Sequence, residues 1–197
     1  AAERLGVQFR TGTSVRKINI SLNKNNNKCS KKFHSLITSN GRVFAGSCIL
    51  AAGVEVNTLL KTIGLQIPIK TPLVAVIETE SLPPIISPVI GVANADLAIK
   101  QQSNGKILFT SGGEFTKIGL SEENGSPIVS PPMKIIGNTI KRAIDVLPIL
   151  SRTPIRRTWG GLLDLTPDSL PILDQVSNIE GLIIASGFSG HGFGIGP

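Results

Sequence analysis

The sequence predicts a mixed α/β protein, α+β overall, in which a parallel-sheet domain is interrupted by an antiparallel one. Three observations carry that expectation. Cys48-Ile-Leu-Ala-Ala52 is apolar without alternation, the pattern of a strand covered on both faces, as in a parallel sheet. Residues 73–80, 89–95, 97–102 and 106–111 are short strand candidates split by Pro, Asn-Ala-Asp and Asn-Gly, close enough to pair through turns. Leu182-Ile-Ile-Ala-Ser186 is a second apolar strand, and it runs straight into the glycine loop Gly187-Phe-Ser-Gly-His-Gly-Phe-Gly-Ile-Gly-Pro197.

Each further element follows from local chemistry. Residues 1–6 read as a helix end capped by Gly6, and 13–20 as a strand. Residues 33–38 and 42–45 form a hairpin, because Asn40-Gly41 supplies the positive φ of a tight turn. Asn57 is placed to cap a short helix through Ile63. After Pro131 and Pro132 comes the clearest helix, with Met133, Ile136, Ile140, Ile144 and Leu147 on one stripe and Lys134, Asn138, Lys141 and Asp145 opposite. Pro148 ends it. Residues 155–163 return as a strand whose alternation puts Arg157, Trp159 and Gly161 on one face and Arg156 on the other. The expected domains are a partial Rossmann-like one, 1–70 returning at 164–197, and an inserted antiparallel one, 71–163.

Composition excludes several classes. Apolar residues make up 41% of the chain, and mean hydropathy is +0.21, values of a folded protein and not a disordered one. No apolar run approaches the ~20 residues of a membrane-spanning helix. The charge of +7 is local: residues 1–32 hold eight Lys/Arg against Glu3 alone, and the remainder is neutral. Residues 23–32, rich in Asn and Lys, read as a solvated loop. With no aromatic interleaving and no basic helix face, they argue against nucleic-acid binding. Cys29 and Cys48 make neither a metal set nor a disulfide framework and fit a reducing cytoplasm.

In the final loop, Gly187, Gly190 and Gly192 let backbone approach a flat ligand, since no Cβ intervenes. The N–H groups of an opening helix would face an anionic or electron-rich group there. A purely conformational glycine turn is the plain alternative. Arg157 could hold a carboxylate by two parallel bonds or sit in a salt bridge, and the sequence leaves both open. Asp164, Thr166 and Asp168 are suited to holding the Thr-Pro turn.

Arg157-Thr-Trp-Gly-Gly161, Thr166-Pro-Asp-Ser-Leu-Pro-Ile172 and the run from Gly181 to Phe193 carry a family resemblance. With Thr13-Ser-Val15, Leu50-Ala-Ala-Gly53 and Gly64-Leu-Gln-Ile-Pro68 upstream, they resemble the C-terminal part of FAD-dependent oxidoreductases of the D-amino-acid oxidase-like superfamily. The flavin subunits of sarcosine oxidase, opine oxidase, proline dehydrogenase and hydrogen cyanide synthase are similar in this way. The resemblance implies FAD as cofactor and an amino-acid, opine or secondary-amine substrate oxidised at its C–N bond. It also implies an electron acceptor, either oxygen or a partner, which could be a subunit or lie at a membrane surface. By the same resemblance, Val15, Ala51, Ala52 and Gly53 lie along the ADP part of FAD, and Gly187, Phe188, Ser189, Gly190, His191, Gly192 and Phe193 border the flavin ring. Arg157 and Trp159 would face the substrate. His191 is expected as a ring neighbour rather than a base, and no catalytic residue is assigned. Relatives of the glycine-oxidase kind carry Arg where this chain has Leu163, which favours a larger or secondary amine. No Gly-x-Gly-x-x-Gly follows an early strand, so the chain is expected to be the C-terminal portion of a longer flavoprotein. A non-catalytic binding or assembly module on the same fold is the competing expectation.

Overall fold

The computed structural model describes residues 2–25, 28–92, 96–117, 119–123 and 126–196. The chain divides into two compact units, Ala1–Ile69 with Thr166–Pro197, and Lys70–Leu165. In chain order, the first unit begins with β1 (Val15–Asn25), β2 (Lys28–Thr38), β3 (Gly41–Phe44), β4 (Cys48–Leu50) and α1 (Val56–Lys61). The second holds β5 (Leu73–Ser81), β6 (Ile90–Val92), β7 (Leu97–Gln101), β8 (Lys106–Ser111), β9 (Leu120–Glu123) and β10 (Ser126–Val129). It ends with α2 (Met133–Val146) and β11 (Ile155–Leu162). The chain then returns to the first unit through β12 (Ile172–Gln175), β13 (Ile179–Glu180), β14 (Leu182–Ser186) and α3 (Gly192–Ile195).

The first unit contains two sheets. In one, β2 is flanked by antiparallel β1 and, at different points along its other edge, by antiparallel β3 and parallel β13. The other has the order β12-β14-β4, with β14 and β4 parallel. Ile18, Phe33, Leu50, Val56, Leu60, Leu182 and their neighbours form one core under both sheets. Gly41 has φ +109°, as its hairpin turn requires, and Gly6 closes a short 3-10 turn at φ +86°.

Three expectations are corrected here. Residues 23–25 and 28–32 are strand and not loop: the β1–β2 ladder continues to the Asn25–Lys28 pair, and residues 26–27 lie outside the described residues. The side chain of Cys29 is likewise outside them, whereas Cys48 is half-buried, with burial raising its thiol pKa. Asn57 does not cap: it sits inside α1, and its amide clamps residue 67, accepting from the Ile67 N–H and donating to its carbonyl, both at 2.9 Å. And β4 is covered on one face only, for Leu50 is buried while Ile49 is 64% exposed at the sheet edge.

The second unit is a five-stranded antiparallel sheet in the order β11-β5-β8-β7-β6, with the β9–β10 hairpin beside it. Helix α2 covers one face of the sheet. There Ile77, Leu97, Ile99, Ile107 and Phe109 meet Ala143, and Leu73 and Ala75 meet Ile135. The buried stripe of α2 is thus Ile135, Thr139 and Ala143, with Ile136, Ile140, Ile144 and Leu147 flanking it and Met133 89% exposed. The expected stripe is displaced because Thr139 is a core residue here, its hydroxyl bonded to that of buried Ser111 at 2.8 Å. Satisfied in this way, a polar side chain costs little to bury.

Candidate functional site

The parallel pair fixes the geometry of the first site. Leu182, Ile183 and Ile184 align with Cys48, Ile49 and Leu50, so the loops after both strands leave from the same carboxyl end. Open α/β sheets bind ligands at such ends. Ala51-Ala52-Gly53 therefore lies beside Gly187-Phe188-Ser189, and the Ser186 hydroxyl donates to the Gly53 carbonyl at 3.4 Å. Gly53 has φ +50°, and a Cβ there would point into open space. This glycine leaves room in front of the strand ends. Val15 stands apart, half-buried in the β1 sheet, and shares with Ala52 only the periphery of the common core.

The second loop is held from beneath. Gly187 has φ +74°, and a Cβ on it would come within 2.5 Å of Thr166 Cγ2. Ser189 adopts φ +51°, uncommon for a residue with a side chain. Its buried hydroxyl accepts from the Thr166 N–H at 3.2 Å, lies 3.2 Å from the Thr166 hydroxyl and donates to the Gly187 carbonyl at 3.1 Å. Thr166 Oγ1 in turn donates to the Leu170 carbonyl at 2.8 Å, and Asp168 Oδ1 accepts the Leu170 N–H at 3.1 Å. That N–H, outweighing the effect of burial and aided by Thr166, holds the Asp168 carboxyl below the usual carboxylate range. Thr166 and Asp168 thus hold the Thr-Pro turn, and the turn holds the loop.

Beyond this clasp the loop is open. Gly190 and His191 are exposed, Gly192 is half-buried, and Phe193 is wholly exposed. His191 occupies the position before α3 and makes no side-chain capping bond. The amides of Gly190, Gly192 and Phe193 have no acceptor among the described residues. Bare amides next to glycine, beside a second glycine bend with free space before it, suit the polar edge of a flat ring such as a flavin.

Arg157 and Trp159 belong to the second unit. Their strand pairs with β5 so that Arg157 faces Glu78 and Trp159 faces Val76, on the side of the sheet away from α2. The Arg157 guanidinium lies 4.7 Å from the centre of the Trp159 ring, and its Nε forms an ion pair with Glu78 Oε2. Glu78 is only 3% exposed, and its Oε1 also faces Lys106 Nζ at 3.5 Å. Burial opposes the charge on Glu78, but the Arg157 and Lys106 cations outweigh it and hold the carboxyl below its ordinary range. Arg156, on the other parity, pairs with Glu80 at 3.6 Å in the open.

Sequence reasoning did not find two of these features. The Thr166–Ser189 clasp joins residues 23 apart and had no local signal. Glu78 did have one, a lone acid at the end of the apolar run Leu73-Val-Ala-Val-Ile-Glu78. Among the described residues no His/Cys/Asp/Glu cluster could hold a metal, and no helix is long and apolar enough to cross a membrane.

The chain is 25% identical to the sarcosine oxidase subunit beta of Arthrobacter sp, over 84% of its own length and 39% of that protein. It is 28% identical to the hydrogen cyanide synthase subunit HcnC of Pseudomonas aeruginosa, over 95% of this chain and 41% of the relative. The chain therefore spans about two-fifths of these relatives' length. Among solved structures, the L-proline dehydrogenase of P. horikoshii shares the fold at a TM-score of 0.76 and 22% identity, over 98% of this chain and 48% of the other. Glycine oxidase from Geobacillus kaustophilus does so at a TM-score of 0.66 and 20% identity, over 91% and 44%. The family model for FAD dependent oxidoreductases matches residues 1–197, end to end, and the chain belongs to that family.

Proposed function

We propose that this chain forms the flavin-facing and substrate-binding part of an FAD-dependent oxidoreductase that oxidises the C–N bond of an amino acid, opine or secondary amine. The observation that carries the reading is the meeting of two glycine-bearing loops, Ala51–Gly53 and Gly187–Phe193, at the carboxyl end of one parallel strand pair. FAD, when bound, supplies the hydride acceptor. The protein's share is positioning and electrostatics. The amides of Gly190, Gly192 and Phe193 would border the ring and favour negative charge there, with His191 and Phe188 as neighbours. Val15, Ala51, Ala52 and Gly53 line the path of the ADP portion. The FAD-binding part is 1–70 with 164–197, and the substrate-binding part is 71–163. Within the latter, Arg157 receives a substrate carboxylate and Trp159 walls the pocket. Electrons pass on to oxygen or to a partner subunit. Two relatives bear the word subunit in their names, which supports an assembly.

The test is optical. The complete protein purifies yellow, and a secondary amine or opine bleaches its flavin absorbance under anaerobic conditions. A colourless product would instead favour the non-catalytic module.

A further inference from the structure

We infer that Glu78 is a positioning residue that aims the Arg157 guanidinium, over Trp159, as a receptor for a single carboxylate; this rests on the reading of Arg157 as substrate-binding. Along β5, Ala75 and Ile77 face α2, and alternation turns Val76 and Glu78 to the other side. Strand register then sets Arg157 opposite Glu78 and Trp159 opposite Val76. A carboxylate that is 3% exposed is costly unless cations accompany it, and Glu78 has two. Its Oε2 makes no well-formed hydrogen bond, so the ion pair with Arg157 is what holds that oxygen.

The side from which Glu78 engages Arg157 matters. Nε is the atom that Glu78 takes, and the two terminal nitrogens, with no partner among the described residues, leave the edge that grips a carboxylate bidentately. The guanidinium carbon lies 4.7 Å over the centre of the indole, which covers one face of the group, while the Arg157 side chain is 64% exposed. An arginine held at one edge and one face before ligand arrives loses little freedom on binding. One acid against Arg157 and Lys106 leaves one positive charge, the complement of a monocarboxylate. Arg156 provides the contrast: its pairing with Glu80 is half-exposed on both sides, and no aromatic contact involving it occurs among the described residues.

The test uses the flavin-loaded protein with acetate as probe and acetamide as its uncharged control. Binding is followed by the emission of Trp159, taken as the signal lost in Trp159→Phe. Glu78→Gln is expected to weaken acetate binding about tenfold, the cost of ordering one freed side chain on binding, and to leave acetamide unchanged. Glu78→Asp, which keeps the charge but is shorter, should fall between the two and serves if Glu78→Gln does not fold. Tighter acetate binding in Glu78→Gln would mean that Glu78 is only a competing charge, and it would overturn the inference. So would equal weakening of acetate and acetamide. The underlying reading fails separately, if Arg157→Ala leaves acetate affinity unchanged. If Arg157→Ala weakens acetate and Glu78→Gln does not, only the aiming role is lost.

Discussion

Ser189 offers the sharpest test of how the glycine loop after β14 is held. Replacing it by Ala removes a hydroxyl that satisfies the buried Thr166 N–H and ties the loop to the Thr-Pro turn. Leaving that N–H without an acceptor costs roughly 1–3 kcal/mol, and Thr166 Oγ1 keeps its own bond to Leu170. The backbone supplies a second, separable quantity. A residue with a Cβ at φ +51° bears about 1–2 kcal/mol of left-handed strain, which Gly would release at a cost of about 0.4–1 kcal/mol in unfolded-chain entropy. Ser189→Ala should therefore destabilise the flavin-loaded protein by about 2 kcal/mol, and Ser189→Gly by about 0.5–1 kcal/mol less. Urea unfolding with equal slopes gives both numbers, and flavin release measured alongside should follow the same order. If Ala matches the wild type, or Gly proves worse than Ala, the clasp does not hold the loop.

Four further outcomes follow from the same structure. Gly187→Ala, at φ +74° and 2.5 Å from Thr166 Cγ2, should destabilise more than Gly53→Ala, which meets strain of about 1–2 kcal/mol but no neighbour; paired melting curves compare them. Thr139→Val should cost about 1–3 kcal/mol by stranding the Ser111 hydroxyl, and Ser111→Ala in the same protein should recover part of it, a cycle readable by denaturation. The Asp168 pKa is depressed on folding, so its contribution is full above the unfolded value near ~3.9 and is lost as pH falls toward the lower folded value. Asp168→Asn should therefore flatten the acid limb of a stability–pH profile and leave its slope above about pH 5 unchanged. Arg157→Ala should raise KM for a carboxylate-bearing amine more than it lowers flavin content, and steady-state kinetics with absorbance ratios decide it.

Much of the fold was legible because its signals are local. The run from Leu182 to Ser186 forms β14 with the expected bounds, and Asn40-Gly41 turns its hairpin. The strand signals around Leu73, Leu97 and Lys106 also produced strands. Errors arose where tertiary partners changed the meaning of a residue. Thr139 counts as polar until Ser111 is known to face it, and Asn57 looks like a cap until the chain folds back to bring Ile67 to its amide. The Asn/Lys stretch has a loop's composition, yet a continuing ladder makes strands of most of it, since backbone pairing needs little from side chains. At the site, the glycine loops were visible as motifs. Their support was not, because Thr166 meets Ser189 in one unit, and Glu78 meets Arg157 in the other, only through long-range folding within each.

The mutual bonds between Lys70 and Leu165, each N–H donating to the other's carbonyl at 2.8 Å, bear on how a ribosome delivers this protein. Synthesis releases β4 long before its mate β14 exists, with the whole inserted unit between them. That insert is one uninterrupted stretch, so it can mature as it emerges and pinch its own ends together. The distance the nascent chain must then search to unite β4 with β14 shrinks to a short tether. An interrupted domain becomes, for the purposes of assembly, nearly a continuous one.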